Sequence, residues 1–362
     1  MANRGSKRAL AVLFVVGIAV IVMLSMLTAA DMNVARLADQ PRVDVVLDLP
    51  YGSGSGSVGA TKVGEPDTSA PPYCPEMFQM TSDGTLWVLD TVNSRVLAFK
   101  DGKQSAEIST LELKKRPSLF GVTRDAVWIK KAANLKEKGP VFSLLRYDRI
   151  SLAWETVKLE LPGGAQLDPL RIMPLGAQET ALLITGMQYP ADIPGSAVNA
   201  SIVLDQKGNV VAVQQDGTSI PAADASVWRF RATDTTLPAE LPFVLDKYNS
   251  QSEKWETVAQ GALPRRAELS RLREKALTLP VGMDEQGRAV VILFEGKPLS
   301  QRFIRIAPSG AVANAVTLEE LGYDSAPLGK YFAASHYQVL PDGSVLAQYA
   351  NPERYRIIRI YF

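Results

Sequence analysis

The chain has 362 residues, with 39 Lys+Arg against 38 Asp+Glu, one histidine and one cysteine. A formal net charge of +1 gives no electrostatic ground for nucleic-acid binding. The single cysteine, Cys74, excludes an intramolecular disulfide, so stability has to come from a large buried core.

The first predicted element is Ala9 to Ala30, which reads ALAVLFVVGIAVIVMLSMLTAA without a charge or a proline. As a helix rising ~1.5 Å per residue it covers ~33 Å, enough for a bilayer hydrocarbon core. Arg4, Lys7 and Arg8 precede it, while Asp31, Arg36 and Asp39 give a nearly neutral flank after it. The positive-inside bias therefore puts residues 1–8 in the cytoplasm and residues 9–30 across the cell (inner) membrane as a single-pass signal-anchor. Everything beyond is extracytoplasmic or periplasmic. A cleaved signal peptide is the competing reading, since Thr28-Ala29-Ala30 suits a peptidase. The apolar run is, however, longer than the roughly 7–15 residues of a signal-peptide core. Residues 31–42 read as a short linker, and 43–362 as one folded region.

That region shows short β-rich runs separated by Gly, Pro, Asp and Asn. One run recurs at Val96–Lys100, Phe142–Asp148, Ile202–Asp205, Phe243–Lys247, Phe303–Ala307 and Ile357–Phe362, with a spacing of roughly 52 residues. A second precedes it at Thr85–Leu89, Ala126–Ile129, Thr180–Ile184, Ala289–Leu293 and Ser344–Ala347. A third comes earlier still, as in Met77–Met80, Leu119–Val122 and Tyr337–Leu340. Turns such as Asp83-Gly84 and Asp342-Gly343 join these two. A fourth, outer strand follows at Glu107–Leu113, Glu155–Leu161, Val210–Gln214, Glu256–Ala259 and Ala311–Leu318. Four antiparallel strands repeated six times predict an all-β, six-bladed β-propeller. The last blade lacks an outer strand, and the isolated run Val43–Leu49 is there to complete it. The blade between Ser226 and Trp255 has the weakest pattern.

Residues Pro71 to Phe99 resemble an NHL repeat: Pro75, Phe78, Asp83, Gly84, Trp87, Asp90, Asn93 and Arg95 match its pattern. The lead-in Tyr51–Gly56 resembles that of membrane-anchored, exported bacterial NHL proteins. The match is partial in the last blade, where Asp342, Gly343 and Arg354 recur. The resemblance implies a six-bladed propeller used mostly for binding, with a few enzymes. Asp90, Asn93 and Arg95 themselves read as loop-shaping residues, because Asp and Asn close tight loops on nearby backbone.

Strand order puts short turns on one face and long connections on the other: Gly52–Cys74, Lys130–Pro140, Gly186–Ala200, Gly261–Leu277 and Glu319–Ser335. Long loops on a rigid scaffold carry function. Pro264–Ala276 predicts a surface helix on this face, with Leu269, Leu272 and Ala276 on one side. Lys114, Lys115, Arg116, Lys130, Lys131, Arg265 and Arg266 make the face basic and form the candidate binding set, for a protein or an anionic polymer.

No catalytic constellation, metal site or cofactor is expected. His336 is the only histidine, which rules out a three-histidine zinc site within one chain. No nucleophile elbow occurs. The alternative function is a metal-dependent hydrolase or lactonase working in the central channel, with Glu76 as a ligand.

Overall fold

The Asp-Gly punctuated runs pair into hairpins, and the hairpins stack into blades. The computed structural model describes residues 40–60, 75, 77–111, 117, 119–131, 142–159, 161, 164–189, 197–215, 219–232, 240–265, 277–295, 300–323, 337–350 and 353–362. The expected membrane segment, residues 9–30, lies outside them. Among the described residues no helix is long and apolar enough to cross a membrane.

The N-terminal strand is β1 (Arg42–Pro50). Blade 1 follows as β2 (Met77–Met80), β3 (Leu86–Asp90), β4 (Arg95–Lys100) and β5 (Lys103–Ser109). Blade 2 holds β6 (Phe120–Val122), β7 (Ala126–Lys131), β8 (Ser143–Asp148) and β9 (Ala153–Lys158). Blade 3 holds β10 (Gln166–Leu175), β11 (Ala181–Tyr189), β12 (Val198–Asp205) and β13 (Val210–Gln215). Blade 4 holds β14 (Ser219–Pro221), β15 (Val227–Ala232), β16 (Glu240–Asn249) and β17 (Lys254–Pro264). Blade 5 holds β18 (Leu277–Met283), β19 (Ala289–Glu295), β20 (Ser300–Ile306) and β21 (Val312–Thr317). Blade 6 holds β22 (Tyr337–Val339), β23 (Val345–Ala350) and β24 (Arg354–Tyr361), with β1 hydrogen-bonded to β24 as its outer strand. The fold is thus a six-bladed, four-stranded antiparallel β-propeller, closed by the N-terminal strand.

Several strand bounds differ from expectation. The outer strand of blade 1 starts at Lys103 rather than Glu107, because Asp101 and Gly102 both take positive φ (50° and 72°) and reverse the chain in two residues. In blade 3, β11 and β12 run well into the stretch expected as the Gly186–Ala200 loop. In blade 4, β17 extends through Gly261 to Pro264, so Pro264 ends a strand instead of starting a helix. The rest of that expected helix, 266–276, falls outside the described residues.

Residues Val43–Ile360 form one compact unit. Arg42 and Tyr361 belong to a second one, in which the Arg42 guanidinium lies 3.8 Å from the centroid of the Tyr361 ring. The core of the propeller lies between blades. Phe78, Leu97 and Phe99 of blade 1 pack with Leu47, Leu346, Tyr355 and Ile357 of blade 6. Trp128 and Leu144 of blade 2 pack with Leu167, Ile184 and Ile202 of blade 3. Central strands are therefore buried on both sides, as in β3 and β19, while outer strands such as β5 and β9 are largely exposed. Each fully buried large apolar side chain contributes about 1.5–3 kcal/mol.

On the short-turn face, neighbouring turns are tied by backbone bonds: Arg124 N to Glu179 O (3.3 Å), Ala177 N to Ala223 O (2.8 Å) and Glu285 N to Pro341 O (3.0 Å). Two glutamines at matching positions of the inner strands do similar work. Gln79 donates from Nε2 to Val122 O (2.6 Å) and accepts Val122 N–H (2.7 Å), joining blades 1 and 2. Gln338 donates to Met80 O (2.8 Å) and accepts Met80 N–H (2.7 Å), joining blades 6 and 1. At the same position in β6, Gly121 leaves no room for a side chain: a Cβ there would lie 2.5 Å from Ile172 Cγ2.

Candidate functional site

Lys130 and Lys131 end β7 on the long-connection face. Lys130 is half-buried; its Nζ lies 2.6 Å from the Asp168 carboxylate and 2.8 Å from Pro169 O. Lys131 is exposed. Arg265, expected on an exposed helix, is instead buried just after β17, its Nε 3.2 Å from Glu295 Oε1. Glu295 is itself buried and needs that cation, which explains the inward turn. Lys114, Lys115, Arg116 and Arg266 lie outside the described residues, as do Cys74, Glu76 and His336.

The loop between β3 and β4, with Asp90 and Arg95 at its ends, is a structural clamp. Asp90 is fully buried; its Oδ1 accepts Gly59 N–H (3.0 Å) and its Oδ2 accepts Asn93 Nδ2 (2.8 Å) and Arg95 Nε (3.0 Å). Arg95 Nη2 continues to the carbonyls of Gly54 (3.2 Å) and Ser57 (2.9 Å). These bonds pin the Gly-Ser-rich stretch that leads from β1 towards blade 1. Arg95 Nη1 adds a bond to Glu107 of β5 at 3.2 Å.

The described cavity lies in the central channel, towards the short-turn face. It measures about 140 Å³ and is bounded by the ends of five inner strands and by turn residues Ser82, Ala177, Glu179, Ala223 and Pro341. A second cavity of about 50 Å³ continues from it, lined also by Phe78, Gln79 and Phe120. Arg171, Met173, Pro174, Tyr337 and Gln338 line both.

Two charged residues stand in this otherwise uncharged lining. Arg171 comes from β10, where the pairing with β11 slips between Pro169 and Arg171, leaving Leu170 as the extra residue. Such bulges re-aim side chains. Arg171 Nη1 reaches past blade 4 to Pro280 O of β18, at 3.4 Å. Burial alone lowers its pKa, to about 10, so it stays cationic at neutral pH. Glu179 sits in the blade 3 turn with positive φ (52°) and is 6% exposed. Its Oε1 accepts the Ser82 backbone N–H at 2.7 Å. Burial pushes its pKa up to about 7, and the Asp83 charge adds to this, against the Ser82 hydrogen bond and Arg149. Neither residue is singled out by sequence pattern. The available signal was one arginine inside the apolar run Leu170–Arg171–Ile172–Met173, which is unusual for a strand buried in a ring. Among the described residues no group of three or more His, Cys, Asp and Glu side chains is placed to hold a metal ion.

No protein-family model matches the chain, and no characterised protein matches it in sequence. Among solved structures it is similar to a luciferin-regenerating enzyme, with 14% identity over 89% of this chain and 96% of that one and a TM-score of 0.42. It is also similar to a streptogramin B lyase (11% identity, 89% and 98% covered, TM-score 0.42). A third likeness is to oligogalacturonate lyase from Vibrio parahaemolyticus (10% identity, 89% and 98% covered, TM-score 0.43).

Proposed function

We propose that the chain is a binding propeller of the NHL type, held to a membrane by residues 9–30 and displayed on the extracytoplasmic side. It takes a protein or anionic-polymer partner on its long-connection face. The observation that supports this is the contrast between the two faces. The short-turn face is closed by tight turns bonded to one another. The strands on the other face end at the connections 51–76, 132–142 and 190–197. Extended connections on a rigid ring make a recognition surface. Lys131 contributes an exposed cation there, and Lys114, Lys115, Arg116 and Arg266 complete the basic set in this reading; Arg265 and Lys130 serve it only by holding their neighbours in place.

A photo-crosslinker at Lys131, in the full-length chain in its own membrane, tests the proposal. A discrete crosslinked species is expected, lost when Lys114, Lys115, Arg116 and Lys131 are all changed to Glu. Crosslinking indifferent to that charge reversal overturns the electrostatic part. A mature protein whose mass begins at Asp31 overturns the anchor. The competing metal-dependent hydrolase predicts heat on titration with calcium or manganese at millimolar concentration; a flat titration counts against it.

A further inference from the structure

The central channel holds a cation with unused bonding capacity. Among the described residues, the other polar side chains near it on the inner strands are committed. Gln79 and Gln338 each hold a neighbouring backbone pair, and the Tyr337 hydroxyl donates to Gln301 Oε1 at 2.7 Å. Arg171 has a single hydrogen bond among the described residues, the long one to Pro280 O, and no carboxylate at ion-pair distance. A guanidinium carries five N–H donors. Arg171 is half-buried, and none of its nitrogens is both sealed from solvent and unbonded, so its free donors open onto the cavity and are available to a ligand. The carbonyl it touches lies where a second register slip, between Pro280 and Gly282, interrupts the β18–β19 ladder. Irregular backbone in two blades thus meets at one guanidinium.

We propose that the channel binds a small monocarboxylate with an apolar body, its carboxylate hydrogen-bonded by Arg171. One cation matches one negative charge, and the planar fork of a guanidinium matches a carboxylate. The apolar body is accommodated by Met80, Met173, Val281, Met283, Val339 and Leu340. The cavity of about 140 Å³ is close to the ~150 Å³ that admits a benzene ring. Glu179 lines the turn-side cavity but not the smaller one, whereas Arg171 lines both. A second carboxylate on the ligand would therefore face Glu179, which disfavours a dicarboxylate. This site is separate from the long-connection face, so its failure and the failure of the partner-binding reading are independent.

The test is calorimetric titration of the full-length protein with butyrate and benzoate, their neutral amides, and inorganic phosphate. The carboxylates are expected to bind, with the amides and the Arg171→Met protein each weaker by about tenfold or more, as for loss of a charge-assisted pair. Arg171→Gln, which keeps a donor without the charge, carries the test if the methionine variant does not fold. Equal binding of acids and amides, unchanged binding by the variants, preferential binding of phosphate, or no binding of any carboxylate at millimolar concentration overturns the proposal.

Discussion

The Nε of Arg95 lies 3.0 Å from Oδ2 of Asp90, and both side chains are almost wholly shut off from solvent. The pair is the hub from which Gly54, Ser57, Gly59 and Asn93 are held. Removing one partner strands the other charge in the interior, which costs about 3–5 kcal/mol. Asp90→Ala and Arg95→Ala should each lower stability by that order in urea unfolding. The double variant should lose less than the sum of the two. Full additivity would show that the pair is not coupled.

Leu47 and Val45 lie two residues apart on β1, at 3% and 48% exposure. Leu47 packs in the core shared by blades 6 and 1. Leu47→Ala should cost about 2–4 kcal/mol, and Val45→Ala close to nothing. Equal effects would mean that the closing strand is not docked as described.

Gln338 satisfies both backbone groups of Met80, a residue in the next blade of the ring. Gln338→Ala leaves that N–H and C=O without partners, at about 1–3 kcal/mol each. Gln338→Glu can still accept from the N–H, but when ionised it cannot donate to the carbonyl. Its thermal midpoint should therefore fall further at pH 8 than at pH 4. A pH-independent effect would count against the clasp.

Glu179 gives a pH signature. Its pKa in the folded protein, about 7, is above the ordinary 4.5, because burial disfavours the charged form. The folded state thus binds the proton more tightly than the unfolded state. Its contribution is fully present below pH ~4.5 and is lost as pH rises to ~7, amounting to about 3 kcal/mol. Asp83 and Asp342 act oppositely: burial opposes their ionisation, but hydrogen bonds and nearby cations prevail and hold both below the usual range. Glu179→Gln should remove the decline between pH 4.5 and 7 while keeping acid unfolding. A variant whose stability profile overlays the parent's would show that Glu179 is solvated.

The architecture was legible because each blade repeats the same physical solution. Asp83-Gly84 and Asp342-Gly343 announce turns by backbone conformation, and the runs between them are too short and too β-branched for helices. The unpaired run at Val43–Leu49 revealed the ring closure. Reading Asp90, Asn93 and Arg95 as loop-shaping also agrees with their hydrogen bonds. What the sequence concealed depends on register and distance. The bulge at Leu170 leaves no compositional trace, yet it sets where Arg171 points. Glu179 looks like one more polar turn residue until the fold carries it over to Ser82. Arg265 looked like a surface cation because its partner, Glu295, is thirty positions away in another strand.

The bond between Asp48 and Arg354 spans 306 positions of sequence, and the Asp48 carboxylate also meets Arg356 at 3.2 Å. On the ribosome, the strand that completes the sixth blade is therefore made long before its partner. Until residues 354–361 emerge, β1 lacks the strand it is bonded to in the finished ring. The finished ring gains a latch for this delay, because two arginines of its last strand grip one carboxylate of the strand made long before.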